Sequence, residues 1–248
     1  MFNQDEIVAR PQGGDIGRMY DLQEAEQNYL SYLLKCYRAD KDLCGLTVVV
    51  DCANGAAYQI APRMWEEMGA RVIPIYSQPN GLNINERCGS THPGGLRKAV
   101  LECHADLGIA YDGDADRLIA VDERGNIIDG DQIMVVCGLH MHRNARLKPP
   151  KIVTTVMSNI GLDIAFRREN VQVLSSQVGD RYVLEKMQES GARVGGEQSG
   201  HIIFLDHATT GDGLLSSLKL AEVIRETGMS LSSLAREMEK HPQVLINV

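Results

Sequence analysis

The sequence predicts two similar α/β domains, each with a mixed, mostly parallel sheet flanked by helices. Short runs of β-branched apolar residues, typical of buried parallel strands, alternate with segments of helical periodicity, as residues 46–51 and 56–68 illustrate. The same order of elements returns in the second half of the chain. The chain of 248 residues can hold two domains of ordinary size, which we place at residues 18–125 and 126–248, after a polar tail or linker over residues 1–17.

The elements of the first domain are predicted from its apolar stretches and from the turn residues between them. An apolar stripe at helical spacing marks the first helix, and stretches rich in Gly, Pro and Asn mark the loops. The expected strands cover residues 46–51, 71–76, 106–111, 117–122 and 127–128, and the expected helices cover residues 20–37, 56–68 and 96–104. A turn at residues 123–126 should join the last two strands as a hairpin.

The second domain follows the same pattern. The expected strands cover residues 152–156, 171–174, 192–194 and 202–205, and the expected helices cover residues 131–146, 161–168, 179–190, 211–227 and 231–240. In both halves an Asn follows the first strand, at Asn54 and at Asn159. We interpret both residues as helix N-caps, because the Asn side chain readily accepts a hydrogen bond from the first turn of a helix.

Composition and charge exclude several classes of protein. The chain is 44% hydrophobic and 23% charged, the usual balance of a globular protein. Its net charge of −8 and lack of a basic block argue against nucleic-acid and membrane-surface binding. No stretch is long and apolar enough to span a membrane, and the first residues lack a signal-peptide core, so we expect a cytoplasmic protein with no membrane partner.

The most specific motif is Asp112-Gly-Asp-Ala-Asp-Arg117, which follows a predicted apolar strand. In open α/β sheets the carboxyl ends of the strands form the edge where ligands bind. Three clustered carboxylates need a compensating cation, and a hard ion such as Mg²⁺ takes oxygen ligands and can also hold a phosphate. Arg117 would offer a permanently charged, planar group to the same phosphate. The motif therefore predicts a Mg²⁺ site.

Two other interpretations of this motif stay open at this point. Asp112, Asp114, Asp116 and Glu123 also fall at ligand positions of an EF-hand calcium loop, although Arg117 occupies the position that needs Gly for the sharp turn. Alternatively, the motif is a solvated acidic turn between two strands, because Asp is common in turns.

Motifs in both halves resemble the α-D-phosphohexomutase family. The acidic motif resembles that family's metal loop, and Gly196-Glu-Gln-Ser-Gly-His201 resembles its sugar-binding loop. The similarity covers roughly residues 18–248. Five further stretches resemble the branch that acts on glucosamine phosphates: residues 50–55, 79–85, 129–134, 178–187 and 209–213.

The resemblance implies an enzyme that interconverts glucosamine 6-phosphate and glucosamine 1-phosphate through a phosphoserine and a bisphosphorylated sugar. Family members have four domains, and this chain resembles the second and third. The serine loop and the C-terminal phosphate loop of the family have no match here. The resemblance therefore implies a fragment that is inactive alone and that works with the missing first and fourth domains, with glucosamine phosphate and its bisphosphate as ligands.

The resemblance also assigns roles to individual residues. It implies Mg²⁺ ligation by Asp112, Asp114 and Asp116, a catalytic role for Arg117 beside the phosphoserine, and substrate binding by Glu197, Ser199, His201, Asp180 and Arg181. Without the resemblance, Glu197 and Ser199 could be ordinary turn residues, and Asp212 could simply cap a helix. Ala115 departs from the Gly that is usual in the metal loop, so a positive φ there would strain the loop by roughly 1 kcal/mol or more.

Two alternative functions stay open. The chain could derive from a sister phosphohexomutase that acts on glucose or mannose phosphates, although that branch tends to carry Met at the position of Gln198. It could also be a non-catalytic module that binds sugar phosphates, since the serine loop has no match in the sequence.

Overall fold

The structure, a computed structural model, describes residues 12–244 of the chain, apart from residues 21, 23 and 41. These residues form two mixed sheets. The strands of the first sheet are β1 (Thr47–Asp51), β2 (Arg71–Ile75), β3 (Leu107–Tyr111), β4 (Leu118–Asp122) and β5 (Ile127–Ile128). Their order is β2-β1-β3-β4-β5, with β1 parallel to β2 and β3, and with β4 antiparallel to both of its neighbours. Pro74 lies in β2, where an edge strand tolerates the missing N–H.

The second sheet repeats this arrangement with four strands. They are β6 (Lys151–Thr155), β7 (Gln172–Ser176), β8 (Val194–Gly196) and β9 (Ile202–Phe204). The order is β7-β6-β8-β9, in which β6 is parallel to β7 and β8, and β9 is antiparallel to β8. The predicted fold class, two similar α/β domains with mixed, mostly parallel sheets, is therefore confirmed.

Helices cover the sheets and join them through a shared hydrophobic core. They are α1 (Ala25–Cys36), α2 (Ile60–Glu67), α3 (Gly94–Glu102), α4 (Gly130–Arg143), α5 (Ile160–Arg168), α6 (Asp180–Ser190), α7 (Gly213–Thr227) and α8 (Leu231–Leu234). Helix α7 packs against β3 and β4 of the first sheet and against β9 of the second, and α1 packs against α2 and α7. One cluster of buried apolar side chains thus extends through both halves.

The helix predicted over residues 56–68 begins later than expected, at Ile60, and the predicted N-cap role of Asn54 is wrong. Ala53 and Asn54 have φ values of +52° and +47°, which an α-helix cannot contain, and residues 53–59 form turns instead. The Asn54 side chain accepts a hydrogen bond from the N–H of Gln78 at 3.1 Å. It therefore ties two loops together instead of capping α2.

The N-cap prediction for Asn159 is confirmed, because its Oδ1 accepts a hydrogen bond from the N–H of Gly161 at 3.0 Å. The helix predicted over residues 231–240 is wrong in extent. Helix α8 ends at Leu234 and continues as the short 3₁₀ helix Ala235–Glu237, after which Met238 becomes extended. Met238 is 3% exposed, so burial of its side chain in the core accompanies the end of the helix.

Some predictions about the chain's organisation fall outside what the structure describes. Most of the predicted tail, residues 1–11, lies outside the described residues, and residues 13–15 form a 3₁₀ helix. The division of the chain near residue 125 stays a prediction, and β5, just beyond it, pairs with β4 in the first sheet. Within the described residues, no helix combines the length and apolar character needed to cross a membrane.

Candidate functional site

The acidic loop, residues 112–117, connects two fully buried strands of the first sheet. Asp112 follows the end of β3, and β4 begins at Leu118 and runs back antiparallel to β3. The carboxylates of Asp112, Asp114 and Asp116 each place one oxygen within 4.8 Å of the others. The loop leads into a strand and not into a helix, so the EF-hand interpretation is wrong. Asp112 is only 8% exposed, which disfavours a simple solvated turn.

Electrostatics in the acidic loop favour a bound cation. Burial, reinforced by the carboxylates of Asp116 and Asp114, raises the pKa of Asp112 to about 7, although Asp112 accepts a hydrogen bond from the N–H of Arg117. The Arg117 Nε lies 3.7 Å from Asp112 Oδ2 and from Asp116 Oδ1. These distances exceed a hydrogen bond, so the half-exposed guanidinium compensates the carboxylates only partly.

The residues of the loop fit a hard divalent cation. The Oδ1 atom of Asp116 is buried and has no hydrogen-bond partner among the described residues, although a buried carboxylate oxygen normally has one. Hard divalent cations take oxygen ligands, including carboxylates and water. A carboxylate oxygen without a hydrogen bond, beside two further carboxylates, therefore offers the donor set that such an ion requires.

The backbone of the acidic loop accepts hydrogen bonds from both domains. The carbonyl oxygen of Gly113 accepts a hydrogen bond from the N–H of Ala56 at 2.8 Å, and that of Ala115 accepts one from Gly213 at 2.9 Å. Ala115 has a φ of +63°, in the left-handed region that favours glycine. The strain expected from Ala at this position is therefore present in the loop.

The second motif forms the loop between β8 and β9, and its end lies against the acidic loop. Arg117 and His201 form an isolated antiparallel bridge, and the N–H of Leu118 donates to the carbonyl oxygen of Gly200 at 3.0 Å. Gly200 has a φ of +96°, and a Cβ there would overlap the backbone of Leu118. The two predicted motifs, one from each sheet, therefore meet through their backbones.

Glu197 and Ser199 lie on this second loop and contact each other. Ser199 Oγ donates to Glu197 Oε2 at 3.2 Å, and Glu197 Oε1 accepts the N–H of Gly179 at 2.8 Å. Gly179 directly precedes Asp180 and Arg181, the first residues of α6. The Arg181 side chain is exposed and donates to Glu185. The structure thus brings Glu197, Ser199 and the start of α6 together.

His201 is enclosed and faces the acidic loop. Its side chain is buried, its Nε2 accepts a hydrogen bond from the N–H of Gly211 at 3.2 Å, and the same atom lies 3.6 Å from Asp116 Oδ2. Sequence reasoning placed His201 with the sugar-binding residues. In the structure its observed contacts are with the acidic loop and with Gly211, and a contact with sugar stays a prediction.

Sequence reasoning missed Tyr29, a residue of α1. A cavity of about 300 Å³ adjoins the acidic loop, and Tyr29 lines it together with Asp114 and Asp116. Its hydroxyl donates to Asp212 Oδ2 at 2.8 Å, while Asp212 Oδ1 accepts the N–H of Leu215 as the N-cap of α7. The expected capping role of Asp212 is confirmed. Tyr29 belongs to an ordinary apolar stripe in the sequence, which carries no signal for this contact.

Two models of one protein family together match most of the chain. The model described as phosphoglucomutase/phosphomannomutase, alpha/beta/alpha domain II, matches residues 27–125. The model for domain III of the same description matches residues 129–241.

Among curated relatives, a phosphoglucosamine mutase from Syntrophomonas wolfei subsp. wolfei is 66% identical over 241 residues, which cover 97% of this chain and 54% of the relative. A phosphoglucosamine mutase from Desulforamulus reducens is 55% identical over the same shares of both chains. The chain thus spans about half the length of the curated relatives it matches.

Solved structures share the fold. A phosphoglucomutase/phosphomannomutase family protein from Burkholderia thailandensis has a TM-score of 0.75 at 26% identity, covering 87% of this chain and 46% of that one. Aspergillus fumigatus N-acetylphosphoglucosamine mutase, solved with GlcNAc-6P and magnesium, has a TM-score of 0.66 at 18% identity, covering 88% and 54%. At this identity the second structure supports the fold alone.

Proposed function

The chain belongs to the phosphoglucomutase/phosphomannomutase family, and on that premise we propose that it forms the metal-binding and sugar-binding domains of a phosphoglucosamine mutase. The whole enzyme would interconvert glucosamine 6-phosphate and glucosamine 1-phosphate through a phosphoserine and a bisphosphorylated sugar. The observation that carries this proposal is the contact between the two motifs, through the bridge of Arg117 with His201. A phosphoryl group held at one loop would lie beside a sugar held at the other.

We assign the three carboxylates of the acidic loop to Mg²⁺. Asp112, Asp114 and Asp116 would hold the ion, supported by their clustering and by the Asp116 oxygen that has no hydrogen bond among the described residues. When bound, Mg²⁺ would neutralise charge on the transferring phosphoryl group. The fixed negative charge of the loop makes a divalent ion a better occupant than a monovalent one.

The chain's own side chains would bind and orient the substrate. Arg117 is half-exposed beside the acidic loop, so its guanidinium can donate to phosphate oxygens on the open side. Glu197 and Ser199 offer an acceptor and a donor to sugar hydroxyls. Asp180 and Arg181 start α6 next to Glu197, and Arg181 can exchange its exposed contact with Glu185 for a ligand.

The phosphoserine would belong to a part of the enzyme outside this chain, because the sequence contains no match to the family's serine loop. Among the family's sugars, glucosamine phosphate is favoured by the high identity to curated phosphoglucosamine mutases. Turnover therefore needs the first and fourth domains as partners, and this chain alone should bind ligands without interconverting them.

A chimaera tests the proposal directly. The matching segment of the full-length Syntrophomonas wolfei relative is replaced by this chain, and interconversion of glucosamine, glucose and mannose phosphates is assayed. We expect turnover with a preference for glucosamine phosphate. Glu197→Gln should lower kcat/KM by about tenfold or more, the equivalent of one charge-assisted hydrogen bond.

A matched control is Glu189→Gln, which changes an exposed residue of α6 that pairs with Lys186. It should leave kcat/KM unchanged. A folded chimaera that binds sugar phosphate without turnover would favour the non-catalytic module, and a preference for glucose or mannose phosphate would favour the sister enzyme.

A further inference from the structure

Asp51 is a fully buried carboxylate at the carboxyl end of β1, outside the predicted site residues. Its relative exposure is 0%, and none of the ion pairs among the described residues includes it. Oδ1 accepts the N–H of Ala53 and Oδ2 accepts the N–H of Gly89, both at 2.9 Å. Burial raises its pKa to about 6, so the group is ionised above neutral pH. A buried charge that only backbone donors stabilise lowers the stability of the folded state, so its presence at this position needs an explanation.

Of the two segments bound by Asp51, one contacts the acidic loop and the other contacts Tyr111, the residue directly before it. From the first, which follows Ala53, the N–H of Ala56 donates to the carbonyl oxygen of Gly113 at 2.8 Å. From the second, which includes Gly89, the N–H of Ser90 donates to the carbonyl oxygen of Tyr111 at 2.8 Å. Tyr111 and Gly113 flank Asp112 in the sequence. Asp51 therefore binds both of the backbone segments that contact the chain on either side of Asp112.

The fit between these segments leaves little room for adjustment. Gly89 has a φ of +71°, and a Cβ there would lie 2.6 Å from the carbonyl oxygen of Tyr111. The N–H of Asn85 donates to the carbonyl oxygen of Ala53 at 2.9 Å, which links the two segments to each other. A shift of either segment would consequently move the loop that carries Asp112.

We infer that Asp51 is a positioning residue that sets the geometry of the acidic loop through these two segments. A carboxylate can accept from both N–H groups, whereas an amide presents one acceptor and one donor. Asp51→Asn should therefore free one segment while preserving the volume of the side chain. The effect on metal affinity rests on the proposed function, and the effect on loop mobility does not.

Asp122 provides a matched control for Asp51, because it is a second buried carboxylate whose role we expect to be structural only. It is also buried, at 1% exposure, and its Oδ1 accepts the N–H groups of Arg124 at 2.9 Å and of Asn126 at 2.8 Å. These donors belong to the turn between β4 and β5, at the opposite end of β4 from the acidic loop. Its Oδ2 accepts the side-chain N–H of Asn126 at 2.9 Å, and the amide nitrogen of an Asn cannot accept that bond. Asp122→Asn should thus destabilise this turn without moving the acidic loop.

The experiment measures Mg²⁺ affinity by calorimetry and Mn²⁺ binding by electron paramagnetic resonance on this chain at pH 8, together with amide hydrogen exchange. We expect Asp51→Asn to weaken binding by roughly 10- to 100-fold, as loss of supporting contacts around metal ligands typically does, and to speed exchange at Ala56 and Ser90. Asp122→Asn should leave affinity and these amides unchanged. Equal affinity and exchange in Asp51→Asn and wild type would overturn the inference.

A second measurement on the wild-type chain covers the case in which Asp51→Asn does not fold. Because coupling between two sites is reciprocal, Mg²⁺ should slow amide exchange at Ala53 and Gly89 and leave Arg124 and Asn126 unchanged. Bound Mg²⁺ without that protection would overturn the inference. If wild type does not bind Mg²⁺, that result would instead contradict the proposed function. Amide hydrogen exchange at Ala56 and Ser90 in Asp51→Asn would still decide the role of Asp51.

Discussion

The backbones of Gly55 and Gly113 are in direct contact, so that a Cβ on Gly55 would overlap the carbonyl oxygen of Gly113. Gly113 lies between the first two carboxylates of the acidic loop, and the N–H of Ala56 donates to the same carbonyl oxygen. The turn after β1 therefore packs closely against the backbone of the acidic loop. This contact explains the glycine at position 55, which the sequence places only within the family-like stretch 50–55.

Substitution Gly55→Ala should destabilise the chain by about 1–3 kcal/mol, because the added methyl group forces the two backbones apart. Denaturant unfolding gives the free energy of unfolding. The control is Gly94→Ala at the start of α3, where a Cβ meets no atom within 4 Å and the backbone is not left-handed. That variant should be as stable as wild type or slightly more stable, and equal losses in both variants would contradict the close contact.

Substitution Ala115→Gly should stabilise the chain by up to about 1 kcal/mol. Ala at a φ of +63° carries strain of roughly 1–2 kcal/mol, and the greater freedom of Gly in the unfolded chain offsets part of the gain. Ala99→Gly in α3, a helical position, should show the opposite sign, with a loss of about 1 kcal/mol. Urea unfolding of both variants measures the two effects, and a loss of stability in Ala115→Gly would contradict the strain.

The stability of the chain should depend on pH through Asp131, which is fully buried in α4. Its Oδ2 accepts the N–H of Asn159, and its Oδ1 has no hydrogen-bond partner among the described residues. Burial raises its pKa from 3.8 to about 6, so the folded state binds the proton more tightly than the unfolded state does. The resulting stabilisation is complete below pH 3.8 and is lost as the pH rises through about 6.

Substitution Asp131→Asn removes this charge and keeps an oxygen acceptor for Asn159. The variant's free energy of unfolding relative to wild type should therefore increase between pH 4 and pH 7, by on the order of 3 kcal/mol. Unfolding in urea across this pH range measures the difference. A difference that stays constant with pH would show that Asp131 does not titrate as the structure indicates.

The fold could be predicted from the sequence where burial dominates local structure. Val48, Val49 and Val50 form a β-branched run that is buried on both faces, and β1 lies where that run predicts it. The turn before α2 could not be predicted, because Asn54 and Asn159 occupy the same position in the repeated pattern. Tertiary contacts distinguish Asn54, among them the hydrogen bond from Gln78, which lies 24 residues along the chain.

The candidate site was predictable in its motifs and less so in its geometry. The alternating carboxylates after β3 indicated a cation site, and their oxygens do cluster. The contact of His201 with Asp116 joins two different sheets, and the hydrogen bond of Tyr29 with Asp212 spans 183 residues of chain. Neither contact has a local sequence signal, because each depends on how α1 and the two sheets pack around α7.

Titration of Mg²⁺ into this chain tests the central claim most directly. At pH 8, above the raised pKa of Asp112, calorimetry should detect one bound ion, and Asp114→Asn should weaken its binding by roughly tenfold or more. The matched control is Asp40→Asn, which removes an exposed carboxylate just after α1 and should bind Mg²⁺ like wild type. Equal affinity in wild type and Asp114→Asn would contradict the assignment of the acidic loop as the metal site.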